Sequence, residues 1–164
     1  MRYFVLGLCV FTVACGGEIP GAPTSPSSAL GGAAATEAQG GSDLPFAGTV
    51  QATETANGIV HHLVGTGTAT HLGRFTVTGD FTVINAIGSG TAIWTAANGD
   101  QIRTNVTGQA TITFPTAAIE EVHAITGGTG RFAGASGHID VARSINLLTL
   151  ISSGSLGGAI SLGH

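Results

Sequence analysis

The chain has 164 residues with five basic and nine acidic side chains, and its 27 glycines follow no triplet period, which excludes a collagen-like fibre. All five basic residues are arginine and the formal net charge is −4, so the chain lacks the basic surface that a nucleic-acid-binding protein needs. The length fits one ordinary domain, and the 43% of hydrophobic residues are enough for its core.

Residues 1–14 have the pattern of an export signal. Met1 and Arg2 form a short positive start, and the run from Tyr3 to Ala14 carries no charge. This run is too short to cross a membrane as a helix, which distinguishes a signal peptide from a transmembrane anchor. We therefore predict a signal peptide over residues 1–14.

The end of this signal, residues 12–16 with the sequence TVACG, resembles the lipobox of bacterial lipoproteins, although Thr12 stands where that family prefers Leu. The resemblance implies that Cys15 becomes the lipidated first residue and anchors the protein in the bacterial cell envelope. The following Gly16 favours the outer membrane by family analogy. The alternative is cleavage by an ordinary signal peptidase and a secreted protein. Because Cys9 lies in the signal, Cys15 would have no partner for an internal disulfide.

The block 15–43 continues from this cysteine almost entirely in Gly, Ala, Ser, Thr and Pro. It has too few large apolar side chains to offset the entropy lost on ordering, and Pro20, Pro23 and Pro26 oppose regular structure. The composition predicts a disordered tether. Its root-mean-square span of about 30 Å would hold a domain clear of a bilayer surface.

Residues 44–164 have a different texture, in which short runs rich in Thr, Val and Ile alternate with Gly and Asn. No segment has the 3.6-residue apolar period of a helix, so we predict an all-β domain. About eight strands without a helix to cover an open edge favour a closed antiparallel barrel, with a β-sandwich as the alternative. The strands are expected near residues 46–55, 59–71, 74–85, 89–96, 100–114, 118–126, 138–151 and 155–162.

Two tight hairpins are expected between these strands, at Asn57-Gly58 and at Asn98-Gly99. The Asn-Gly pair readily takes the positive φ angles that both central residues of a type I′ turn require.

Two predicted strands alternate clearly between apolar and polar residues, as expected of a sheet that faces a single core. In the third strand the apolar face carries Phe75, Val77, Phe81 and Val83. In the fifth strand it carries Ile102, Val106, Ile112 and Phe114. A lumen filled completely by Phe75, Phe81 and Phe114 would exclude a ligand.

A glycine-rich string, GGTGRFAGASG, spans residues 127–137. It resembles a segment of the dirigent proteins and their allene oxide cyclase-like relatives, which are eight-stranded antiparallel barrels. The resemblance implies that the string is an architectural turn between two late strands and that its aromatic residue closes the barrel core. The residues given this structural role are Gly127, Gly128, Gly130, Phe132 and Gly137. No Lys follows the glycines, so the string is not a phosphate-binding loop.

The six histidines raise the question of a metal site. His61 and His62 are adjacent, so on a strand they point to opposite faces and cannot bind one ion together. The other four fall in separate elements or at the terminus: His71, His123, His138 and His164. No cysteine or paired acidic motif accompanies them, so we predict no metal site and no cofactor.

Three polar residues are in phase with apolar neighbours and are the candidates for ligand contacts. Glu121 and His123 alternate in step with the isoleucines of the sixth strand, and Arg143 with the apolar residues of the seventh. If this phase faces the lumen, the charges must be paired with each other or with a ligand, because an unpaired buried charge is costly. The alternative is a polar stripe on the outside of the barrel. A hairpin centred on Phe132 would place Glu121 directly opposite Arg143 as an ion pair.

These features predict an exported, lipid-anchored protein whose barrel binds a small apolar ligand without catalysis or has a surface or structural role. The resemblance to the allene oxide cyclases implies an alternative, an isomerase or cyclase acting on a hydrophobic substrate. The active-site residues of those enzymes lie outside the matched string, so no catalytic residue is assigned. The sequence leaves open whether the chain forms a homo-oligomer.

Overall fold

Apolar and polar residues alternate through most of residues 44–161, and the chain forms β-strands there. The computed structural model describes residues 43–163. Besides strands they form one turn of 3-10 helix, Gly130–Phe132. The strands are β1 (Leu44–Pro45), β2 (Gly48–Asn57), β3 (Val60–Ala69), β4 (Gly73–Ile84), β5 (Ile87–Ala96), β6 (Gln101–Thr113), β7 (Thr116–Gly128), β8 (Ser136–Asn146) and β9 (Ile151–Ser161).

The predicted closed antiparallel barrel is confirmed. Each strand from β2 to β8 pairs antiparallel with the next strand in the chain, and β9 pairs with both β8 and β2, which closes eight strands into a barrel. The short strand β1, which the sequence did not predict, pairs with β9. The predicted signal peptide, Cys15 and the tether as far as residue 42 lie outside the described residues. Within the described part of the chain, no helix is long and apolar enough to span a membrane.

The connections alternate between the two ends of the barrel, because consecutive strands run in opposite directions. The hairpins β2–β3, β4–β5, β6–β7 and β8–β9 lie at one end, which we call the open end. The connections β3–β4, β5–β6 and β7–β8 lie at the other, which we call the closed end.

Buried apolar side chains fill the closed end. Phe132 is fully buried, and Leu72 from the β3–β4 connection and Trp94 from β5 are 2% and 1% exposed. The ring of Phe75 packs on that of Trp94, with 5.1 Å between the ring centroids. The hydrophobic core therefore blocks this end of the lumen.

The glycine-rich string connects β7 to β8 at the closed end. Gly127 and Gly128 end β7, Gly130 and Phe132 bound the 3-10 turn, and Gly137 is the second residue of β8. The aromatic side chain of this connection thus packs in the core at the closed end.

Both Asn-Gly hairpins form, but the predicted type I′ geometry is wrong. Asn57 is the last residue of β2 and pairs with Val60, so the turn itself begins at Gly58. Gly58 has a φ of 62° and no other residue of this turn has a positive φ, which is the type II′ pattern. The two-residue turn with positive φ at both positions is instead Asn85-Ala86, between β4 and β5.

The apolar face predicted for β6 is only partly buried. Ile102 and Val106 face the core, but Ile112 and Phe114 are 60% and 72% exposed. The cause is the length of the β6–β7 hairpin, because β6 has no partner in β5 beyond Gln109 and projects past the barrel at the open end. Phe114 therefore does not fill the lumen.

Candidate functional site

The open end of the lumen contains a cavity of about 210 Å³, which we call the cup. Charged residues lie at its floor, several positions inward from the hairpins. Apolar side chains from four strands form its walls, among them Val83, Val106, Ile112, Ile119 and Ile145. The lumen is therefore filled at one end and hollow at the other.

A larger depression of about 660 Å³ lies across β2–β5 towards the closed end. Five of its twelve lining residues are threonines, four of them exposed, and its only charged residue is the exposed Arg74. It encloses no cluster of buried polar groups, so the cup is the better candidate site.

The floor of the cup is a buried ion-pair cluster of Glu54, Glu121 and Arg143, which we call the floor cluster. Arg143 donates from Nη2 to Glu121 Oε1 (2.9 Å) and from Nε to Glu121 Oε2 (3.1 Å), a bidentate pair. Its Nη1 donates to Glu54 Oε1 and to Ser152 Oγ, the latter at 3.2 Å. Both carboxylates thus bind one guanidinium, and the formal charge of the three side chains is −1.

The sequence positions these groups through the two-residue period of the strands. Glu54 is in phase with the buried Val50 and Ala52 of β2, just as Glu121 and Arg143 are in phase with the buried residues of β7 and β8. Space for the two largest side chains comes from neighbouring glycines. A Cβ at Gly108 would lie 2.6 Å from Glu121 Cγ, and one at Gly154 would lie 2.6 Å from Arg143 Cβ.

Glu121 and Arg143 keep their charges despite their burial. Burial raises the pKa of Glu121, but contacts with His123 and Arg143 outweigh it and lower this pKa from 4.5 to about 2. Burial likewise lowers the pKa of Arg143, but its pairing with Glu121 and with Glu54 outweighs this and raises the pKa above its usual value. Both groups are therefore ionised at neutral pH.

Two histidines adjoin the cluster. His61 Nδ1 lies 3.1 Å from Glu54 Oε2, whereas the adjacent His62 points outward to Asp80, as the strand geometry predicts. His123 is 3% exposed, and its Nε2 lies 3.6 Å from Glu121 Oε2. Its Nδ1 lies 3.3 Å from Thr104 Oγ1.

A second, much smaller cavity of about 20 Å³ lies beneath the floor and is lined in part by Trp94 and His123. Trp94 Nε1 and His123 Nε2 are buried without a hydrogen-bond partner among the described residues. The two rings meet edge to face, with centroids 5.2 Å apart. A cavity of this volume is large enough for one water molecule.

The structure brings together all three polar residues that the sequence singled out, and the expected contact between Glu121 and Arg143 is present. The predicted register is wrong by two residues, because Arg143 is opposite Ile119 and not Glu121. A shift of the register by two residues keeps both side chains on the same face of the sheet. The long Arg143 side chain then reaches Glu121 diagonally across the strand pair. Glu54 is not among the predicted residues, although its phase with Val50 and Ala52 is the same signal that identifies Glu121.

Within residues 43–163, no group of three or more His, Cys, Asp or Glu side chains is arranged to hold a metal ion. Comparisons of the chain with protein-family models, with curated proteins and with solved structures each found no match.

Proposed function

We propose that the protein binds a small, mainly apolar molecule in the cup, with an uncharged polar end group of the ligand at the floor cluster. The observation that carries this proposal is the apolar cavity that ends on buried charges. An engineered apolar cavity of about 150 Å³ is known to hold benzene. A cup of about 210 Å³ therefore accommodates a slightly larger group, and a longer chain can extend through its mouth.

The floor cluster favours an alcohol over a carboxylate as the end group. Arg143 uses four of its five N–H groups on Glu54, Glu121 and Ser152, so little of its donor capacity is left for a ligand. The cluster has two carboxylates for one guanidinium, and it offers carboxylate oxygens as acceptors. A hydroxyl can donate to them, whereas a second anion would be repelled.

The charge state of Glu121 also favours binding over catalysis by this residue. The isomerase or cyclase activity implied by the resemblance to allene oxide cyclase-like proteins needs a proton-transfer group with a pKa near the working pH. Glu121 has a pKa of about 2 and is held by a bidentate arginine, so it is a weak base.

Titration calorimetry with 1-octanol and octanoate, which have the same chain length, tests the proposed ligand class. We expect 1-octanol to bind with a Kd on the order of 0.1 mM and octanoate at least about tenfold more weakly. Ala110 lines the cup, so Ala110→Phe should abolish octanol binding. The matched control is Ala118→Phe, on the outer face of the paired strand. Equal binding of both ligands, or equal binding by both variants, would refute the proposal.

We also propose, from the pattern of residues 1–16, that the protein is exported and acylated at Cys15. The mass of the N-terminal peptide from the exported protein tests this directly. We expect a peptide that begins at Cys15 and carries acyl chains, and a Cys15→Ser variant without them. An unmodified Cys15, or the same mass increment in the variant, would favour the secreted alternative.

A further inference from the structure

The open end of the barrel carries a ring of exposed, large apolar side chains. Eight of the eleven such side chains of the described residues lie on the four hairpins at this end, and the other three are single residues on the barrel wall. Six of the eight, with at least one from each hairpin, define what we call the apolar rim: Ile59, Ile84, Ile87, Ile112, Phe114 and Leu148. Phe114 and Leu148 are 72% and 69% exposed.

The same four hairpins contain no charged residue. Residues 57–60, 82–89, 109–119 and 144–152 include no Asp, Glu, Lys or Arg. At the closed end, by contrast, the connections and the strand ends beside them carry Arg74, Asp100, Arg103 and Arg131. The barrel thus has one charged end and one end that is both apolar and uncharged.

We propose that the apolar rim docks on the surface of a lipid bilayer, with the mouth of the cup facing the lipid. Exposed apolar side chains that are concentrated at one end of a domain mark an interaction surface. The rim consists of separate hairpin tips around an opening, so a protein partner would need a matching surface for each tip, whereas a lipid surface adapts to all of them. Because the rim has no charged side chains, it can enter the apolar layer of a bilayer without the cost of desolvating a charge. It also lacks the charged groups that would orient a protein partner.

The segment before the barrel is compatible with this orientation. It reaches β1 and β2 at the closed end, opposite the rim. From the predicted anchor at Cys15 to Asp43 there are 28 residues, which span at most about 100 Å when fully extended. A ten-residue strand such as β2 is about 33 Å long, so a barrel anchored through Cys15 can turn its open end to the same bilayer.

This inference deepens the proposed function and rests on it for the purpose of docking. An apolar ligand dissolved in the bilayer would reach the cup of a docked barrel without crossing water. Ile112 belongs to both the rim and the cup wall, so an apolar side chain connects the two. Docking itself depends only on the rim.

Site-specific tryptophan fluorescence of the full chain with phosphatidylcholine vesicles tests this orientation. Trp94 is the only tryptophan in the chain and is 1% exposed, so it contributes a constant background. Phe114→Trp and Leu148→Trp report on the rim. Val64→Trp and Val122→Trp, at exposed apolar sites on the wall, are the matched controls.

With vesicles whose acyl chains carry bromine, we expect the emission of both rim tryptophans to be quenched by at least about twofold and shifted to shorter wavelength. The wall tryptophans should be unaffected. Equal quenching at rim and wall, or none at the rim, would overturn the proposal. If the rim tryptophans are not quenched, the oligomeric state in vesicle-free buffer identifies the alternative occupant. A dimer that dissociates in the double variant Phe114→Asp and Leu148→Asp would assign the rim to a second copy of the chain and overturn the proposal. Octanol binding is measured without vesicles, so either proposal can fail while the other holds.

Discussion

Replacing Arg143 with methionine should lower the free energy of unfolding by about 3 to 5 kcal/mol, because the change leaves two buried carboxylates without their cation. Arg143 is 7% exposed and Glu54 is 6% exposed, so solvent cannot take over the lost contacts. The loss should appear as a lower midpoint urea concentration at pH 7. The slope of the unfolding free energy against urea concentration should be unchanged.

The matched control neutralises the whole floor cluster. In the triple variant Glu54→Gln, Glu121→Gln and Arg143→Met no charge remains to be desolvated, so most of the lost stability should return. A loss below about 1 kcal/mol in the single variant would show that the cluster is solvated, since this is the range of exposed ion pairs. A triple variant no more stable than Arg143→Met would show that the single change acts through packing.

The stability of the barrel should also fall as the pH is lowered from about 5 to about 2, and Glu121 should account for about 3 kcal/mol of that loss. The pKa of Glu121 is about 2 in the folded protein, against 4.5 ordinarily. Because the folded-state pKa is the lower one, this contribution is fully present above pH 4.5. It disappears as the pH falls through the folded value, where Glu121 is protonated in both states.

Urea denaturation of the wild type and of Glu121→Gln between pH 7 and pH 2 measures this contribution. We expect the variant to be the less stable protein at pH 7 and the two free energies to converge near pH 2. A difference between wild type and variant that stays constant over this range would mean that the pKa of Glu121 is not lowered by folding.

The fold could be predicted from the sequence because it depends mainly on local patterns. The alternation of apolar and polar residues in runs such as Phe75 to Phe81 identifies strands. Because no segment has the period of a helix that could cover a sheet edge, the sheet is expected to protect its edges by closing into a barrel. Alternation does not show where a strand leaves the barrel, so it predicts a core position for Ile112 and Phe114, which are exposed. The type I′ turn at Asn85-Ala86 lacks the glycine that usually identifies such turns.

The candidate site could be predicted only in part, because its contacts join distant segments. Glu121 and Arg143 lie on consecutive strands, and their common phase was enough to pair them even with the register wrong by two. Glu54 binds Arg143 although the two residues are 89 positions apart in the sequence. Their strands, β2 and β8, come near each other only because β9 pairs with both and closes the barrel. The depth of the cup depends on how the side chains fill the lumen, which a period of two does not determine.

The crystal structure of the protein with 1-octanol tests the proposed binding site most directly. We expect the alkyl chain to lie in the cup between Val106 and Ile119, with the hydroxyl about 3 Å from a carboxylate oxygen of Glu54 or Glu121. A cup filled by its own side chains, or octanol bound only to the outer surface of the barrel, would contradict the proposed function.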